Sequence, residues 1–143
     1  MSRISQTYLV DMTIWMDNWQ LDCCGEPFSV GSQVSWTVWQ GGHSWLAALL
    51  GPGASVTLDA VEDHHGKIPK GAVPTVGTVT SIAAAYCRYA PRTGSGLTRY
   101  RVEGSGVLTP LQRADKFRPR RGDLEFMGYL VQLDVTGTGT TSR

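Results

Sequence analysis

Residues 7–17, TYLVDMTIWMD, place Tyr8, Val10, Met12, Ile14 and Met16 at every second position. Side chains two residues apart share one face of an extended chain, whereas a helix brings together residues three or four apart. A branched and aromatic run with this period predicts a half-buried β-strand, and the same period returns along the chain. FSVGSQVSWTVWQGG sets Val34, Trp36 and Val38 in alternation, entered through Gly31 and left through Gly41 and Gly42. ASVTLDAVED predicts a third strand, and VGTVTSIAAAYCRY a fourth with Val76, Val79 and Ile82 in its core. LTRYRVEGSGVLTPL reads as a hairpin turning at Gly104, Ser105 and Gly106, its end also compatible with a helix, and LEFMGYLVQLDV as the closing strand. Only HSWLAALLGPG carries a run of helix formers, and Gly51 and Pro52 stop it within two turns.

Short strands at this spacing predict an all-β fold, a small barrel of about six to seven strands with one short helix, because closure removes exposed sheet edges. A chain of 143 residues, 41% hydrophobic, supplies one core and not two. Residues 1–135 are therefore expected to form a single domain, and 136–143, TGTGTTSR, a flexible tail with nothing to pack. The longest apolar stretch, SWLAALLGPG, falls short of the ~20 residues a membrane helix needs, so no membrane association is expected. The N-terminal residues show neither a long apolar segment nor a small-residue cleavage site, and the expected location is the cytoplasm.

WQLDCCGEPF, residues 19–28, is the most unusual local motif. Cys23 and Cys24 on an extended chain point to opposite faces, so both reach one ion only if the chain turns, and Gly25 permits a turn. Cys23, Cys24, His64 and His65 are then the candidate ligands of a metal, zinc by residue type, with Asp22 and Glu26 able to complete the shell. A second reading makes Cys23 or Cys24 a nucleophile with His65 or His64 as its base, oriented by Glu62 or Asp63. A vicinal disulfide, strained and readily reduced, is a third. The plainer alternative is that one thiol is core, the other lines a turn, and Glu62, Asp63 and both histidines form an exposed loop.

Two resemblances accompany these motifs. FSVGSQVSWTV followed by VGTVTSI resembles the SH3-like small barrels, in which a glycine turn precedes each of two alternating strands. Trp19, Gln20, Cys23, Cys24, Gly25, Pro27, Phe28, Gly31, Val34 and Trp36, with His65, Gly66, Gly77 and Val79 downstream, resemble the pattern of a family of small uncharacterised actinobacterial proteins. The likeness implies a shared small fold and no particular activity, and it covers the first half of the chain best. HSWLAALLGPG and the glycines before it depart from the pattern.

A formal charge of +1 creates no global field toward nucleic acid or anionic surfaces, so such binding needs a local patch. Arg113, Lys116, Arg118, Arg120 and Arg121 surround Phe117, and Arg118, Arg120 and Arg121 are the candidates for holding a phosphate backbone; a solvated connection diluted by Asp115, Asp123 and Glu125 is the plainer reading. The Arg121-Gly122-Asp123 tripeptide reads as a turn. Of the five tryptophans, Trp36 falls on a core face, whereas Trp15 and Trp39 fall on the opposite phase of their strands. They are either an exposed binding face, with Trp19 beside it, or the surface covered by the short helix through Trp45, Leu46, Leu49 and Leu50. The expectation that absorbs most of these features is a binding module for a protein or small-molecule ligand, working through Trp15, Trp39 and a pocket beside Cys23 and Cys24. A Cys/His enzyme or metal protein, and nucleic-acid binding through 113–121, are the alternatives. No paired carboxylates or phosphate-binding loop stand out in the sequence.

Overall fold

The computed structural model describes residues 4–18, 26–40, 45–51, 56–62, 74–94, 96–115 and 118–141. Along them run β1 (Ile4–Asp17), β2 (Phe28–Ser29), β3 (Gln33–Trp36), β4 (Val38–Gln40), α1 (Trp45–Leu50), β5 (Ala60–Glu62), β6 (Thr75–Cys87), β7 (Tyr89–Pro91), β8 (Arg99–Arg101), β9 (Val107–Leu111), β10 (Arg113–Ala114) and β11 (Glu125–Thr141). The fold is all-β and barrel-like, with one short helix among the described residues. Seven strands make one curled sheet in the order β3-β6-β11-β1-β5-β4, with β9 also on β6; β2 with β10 and β7 with β8 form two small ribbons.

Three long strands carry the sheet. β11 lies antiparallel between β1 and β6, and β6 takes β3 along its first half and β9 along its second, both antiparallel. Among the described strands only β5 and β1 pair in parallel, with Ile14 opposite Ala60. Because alternate side chains leave a strand on opposite faces, β1, β6 and β11 feed two separate clusters. Ile14, Met16, Val79, Ile82, Ala84, Tyr86, Tyr129, Val131 and Leu133 join Phe28, Trp36 and Phe126 in the larger one. There Trp36 meets Phe28 edge-on at 4.9 Å, so the core face expected for Trp36 is the one it occupies. On the other face Trp15, Ala85, Cys87 and Leu130 pack beneath α1 through Leu46 and Leu49.

The helix forms where the sequence predicts it and ends where expected, and its end is held from a distance. Helix C-termini leave carbonyls without intrahelical donors. Here Gly104 N–H donates to Ala48 O at 3.2 Å and Gly106 N–H to Leu49 O at 2.9 Å. A Cβ on Gly106 would lie 3.0 Å from both Leu49 O and Leu49 Cγ, so the loop approaches α1 closely because position 106 has no side chain. This contact overturns the hairpin expected around Gly104–Gly106: β8 pairs with β7 while β9 pairs with β6, and the glycines serve the helix instead of a turn between paired strands.

Val76 is a second correction. It is 47% exposed, whereas Val79 and Ile82 are buried as expected. Leu133 pairs with Val79 and Gln132 with Ser81, leaving Thr80 as an extra residue. Such a bulge inverts the inside-outside phase of the strand. Gly77 and Val79 face inward before it and Ile82, Ala84 and Tyr86 after it, which turns Val76 outward. The Thr80 hydroxyl marks the site by donating to Gln132 O at 3.3 Å. The third predicted strand is reduced to Ala60–Glu62. At the C-terminus the β1–β11 ladder continues through 136–141 to pair Ile4 with Thr141.

Candidate functional site

The ends of β6 and β11 meet beside the β7–β8 hairpin, and a cleft of about 390 Å³ opens there between Asn18, Tyr89, Arg99, Arg120, Glu125 and Phe126. Each side chain arrives by a separate route. Asn18 follows the end of β1, where its N–H donates to Met127 O at 3.0 Å and its amide Nδ2 to Phe126 O at 3.2 Å. Glu125 opens β11 opposite Cys87, the last residue of β6. Arg99 comes from β8, donates to Tyr89 O at 3.2 Å, ion-pairs with Glu125 and lies 5.6 Å from the Tyr89 ring centre. Arg120 is oriented by donation from Nε to Gly122 O at 3.2 Å. A guanidinium offers five N–H donors, so these contacts aim the forks of Arg99 and Arg120 without exhausting them.

At the cleft the Cys87 thiol and the Tyr89 phenol are both held toward their neutral forms. Burial pushes the Cys87 thiol up from its ordinary value, opposed by a hydrogen bond with Tyr89 and the positive charge of Arg101. Burial likewise raises the Tyr89 phenol, against a hydrogen bond from Arg101. Arg101 in turn lies 4.5 Å above the Trp45 ring, which ties the hairpin to α1. A thiol shifted this way is a packed group and a poor nucleophile at neutral pH.

The near-neutral total charge conceals a separation along the chain. Residues 88–125 hold nine of the thirteen Lys and Arg and four of the twelve Asp and Glu, a net of +5, leaving −4 on the rest. Within this region the arginines expected to bind nucleic acid make contacts to neighbouring groups, while Arg113, Arg120 and Arg121 stay exposed and Arg118 is half-buried. Arg118 donates to the Tyr86 hydroxyl at 3.0 Å, a bond that raises its own pKa further. Arg121 donates to Thr109 Oγ1 at 2.9 Å and lies 5.4 Å from the Tyr86 ring, and Arg113 reaches Ser29 Oγ at 3.2 Å. Arg121 and Leu124 close a two-residue turn over Gly122 and Asp123, as expected for that tripeptide.

Among the other predicted residues, Trp15 is 2% exposed and meets Trp45 edge-on at 5.0 Å, its Nε1 donating to Asp17 at 2.8 Å. The covered alternative therefore holds for Trp15, and an open Trp15 binding face is corrected: α1 occupies that face. Trp39 lies in β4, paired with Val61. Trp19, Asp22, Cys23, Cys24, Asp63, His64, His65, Lys116 and Phe117 lie outside the described residues. Glu26 is exposed, whereas Glu62 is wholly buried at the end of β5, so the expected exposed loop does not begin at Glu62. Among the described residues no three His, Cys, Asp or Glu gather as metal ligands.

Sequence reasoning missed the cleft, because its six residues are spread from position 18 to 126 and no spacing links them. The legible signal was the alternation Arg99-Tyr100-Arg101, a strand pattern with no apolar face to bury. It also missed a carboxylate pair. The ladder sets Asp11 opposite Asp134, and a hydrogen bond between them, followed by slight desolvation and mutual repulsion, raises the Asp134 pKa.

Comparison with known proteins shows where the chain belongs. Residues 10–135 match the model of a family of unknown function (DUF6578), and the chain is a member of that family. No curated protein and no solved structure matches it.

Proposed function

We propose that this member of a family of unknown function is a binding module for a small anionic ligand, held in the cleft of Asn18, Tyr89, Arg99, Arg120, Glu125 and Phe126. The observation that carries the reading is the convergence of two arginine side chains and one carboxylate on a cleft walled by Tyr89 and Phe126. Its volume, about 390 Å³, lies in the range of small-molecule sites. Arg99 and Arg120 suit a carboxylate or phosphate, which a planar guanidinium grips with two donors. Glu125 holds Arg99 in place and offers an acceptor to a donor group on the ligand. The aromatic walls suit a flat apolar body beside the anion. The cytoplasm, where thiols stay reduced, fits this reading.

Benzoate and phenyl phosphate, each joining an anion to an aromatic ring, are suitable probes for calorimetric titration of the intact chain. Saturable binding in the millimolar range or tighter is expected, weakened about tenfold or more in Arg120→Ala, the loss of one charge-assisted contact. Absence of saturable binding by either probe, or equal binding by Arg120→Ala, would overturn the assignment.

A second reading keeps Cys23 or Cys24, with His64 or His65, as a thiol or zinc site. It rests on the residue types of the Cys23-Cys24 and His64-His65 pairs, which lie outside the described residues. Metal content per chain and thiol titration before and after unfolding test it; a stoichiometric metal lost in Cys24→Ser supports it, and two thiols silent until unfolding with no metal overturn it.

A further inference from the structure

The β7–β8 hairpin extends beyond the cleft, and every described residue from Pro91 to Arg101 is exposed. Its outer part does not serve the core: Leu97 is 98% exposed, and Tyr100 presents its ring at the surface with Arg92 stacked on it at 4.3 Å. A second cleft, about 350 Å³, is lined by Pro91, Arg92, Tyr100, Arg101 and Glu103, among others. Arg92 and Arg101 thus each lie over an aromatic ring, Tyr100 for one and Trp45 for the other. A guanidinium stacked this way covers its apolar face and keeps its N–H edge directed outward. From Pro91 to Arg101 the hairpin carries Arg92, Arg99 and Arg101 and no acidic residue, which favours an anionic partner locally.

We propose that the outer β7–β8 hairpin is a binding surface for single-stranded nucleic acid, with Tyr100 stacking a base and Arg92 and Arg101 holding the flanking phosphates. Single strands combine a flat π-face with regularly spaced anions, and stacking platforms set among arginines are the chemistry that takes both. A duplex hides its base faces and would leave Tyr100 without a partner. An acidic peptide would use the charges and not the ring. The surface is separate from the small-ligand cleft, which contains none of Arg92, Tyr100 and Arg101.

Fluorescence anisotropy of a labelled oligothymidylate of about 12 nucleotides, within the usual site sizes, titrated with the intact chain at low and at physiological salt, tests the surface. Binding that weakens steeply with salt is expected, because contacts to phosphates release counterions. Tyr100→Ala is expected to weaken it at least about fivefold and Tyr100→Phe to restore most of that loss, since the ring stacks and the hydroxyl does not. Arg92→Ala is expected to reduce both the affinity and its salt slope. Arg92 and Tyr100 are exposed, so circular dichroism of these variants should match the parent, and their binding of phenyl phosphate should be unchanged. No binding at low salt overturns the proposal. So does an Arg92→Ala loss without a Tyr100→Ala loss, which would mark a general anionic-partner surface, or equal affinity for a duplex of the same length. Failure of phenyl phosphate binding alone would remove the small-ligand reading and leave this one standing.

Discussion

Around Gly128 and along the β7–β8 hairpin the chain forms paired strands with opposite surroundings, Gly128 itself standing at a bulge with a φ of +157° that L side chains rarely adopt. At Gly128, β11 presses against β1 so closely that a Cβ there would fall 2.3 Å from Met16 O and 2.8 Å from the Trp15 ring. The neighbouring Trp15, Met16, Met127 and Tyr129 are all buried. In the hairpin, two three-residue strands are joined by a loop whose described residues are exposed, and they dock mainly through Arg99 on Glu125 and Arg101 on Trp45. Both regions satisfy backbone hydrogen bonds, so pairing alone does not separate them. What differs is coverage of the two faces: around Gly128 the long strands carry buried apolar groups on both sides, and an isolated two-stranded ribbon is marginal in water. Burial concentrates packing at the first region, and the proposed single-strand contact lies at the second.

The largest test of that contrast is Trp15→Ala. Emptying the space between the sheet and α1 is expected to cost about 3–5 kcal/mol, read by urea denaturation. A cost near that of a surface substitution would mean the helix side contributes little. Gly128→Ala is expected to cost about 2–3 kcal/mol, because β1 must move to accommodate a methyl group. A neutral result would show that the two strands are not in close contact. Glu125→Gln removes the partner of Arg99, a half-exposed pair worth at most about 1 kcal/mol globally. Its sharper readout is hydrogen exchange: amides of β7 and β8 should exchange faster while those of β1 and β11 keep their protection.

The Asp11–Asp134 pair gives a smaller effect with a definite sign. The folded state holds the Asp134 carboxyl above its ordinary value of 3.8, so the native chain binds this proton more readily than the unfolded chain. The resulting penalty is present at neutral pH and is relieved as pH falls toward the carboxylate range. Asp134→Asn is therefore expected to raise the melting temperature at pH 7, with the difference from the parent shrinking on acidification. An unchanged difference at both pH values would show that the pair does not share a proton. Smallest of all, Leu97→Ser at the hairpin tip should change stability by no more than about 0.5 kcal/mol.

Much of this architecture was readable one segment at a time. Trp36 lies in the core because Val34, Trp36 and Val38 alternate with polar neighbours, and α1 ends at Leu50 because Gly51 and Pro52 follow it. The errors share a cause. In an unbroken strand Val76 shares its face with Ile82, but a bulge between Val79 and Ile82, created by pairing with the distant β11, breaks that phase. Gly104 and Gly106 look like a turn and also satisfy α1 carbonyls, a role visible only once the helix and loop are adjacent. The cleft was less legible than the fold: strand periodicity marks apolar faces, whereas Asn18, Arg99, Arg120 and Glu125 are polar and lie at strand ends and loops where no period applies.

The sequence by itself determined the all-β class, the short helix before Gly51 and its stop, and the inward placement of Trp36, because these depend on alternation, local propensity and chain breakers within a few residues of each position. The tertiary structure alone decided that Trp15 lies beneath α1, that Asp11 opposes Asp134, and that arginines from separate segments converge with Glu125 on one cleft. Each of these depends on strand register between residues far apart in the chain, which local side-chain preferences do not encode.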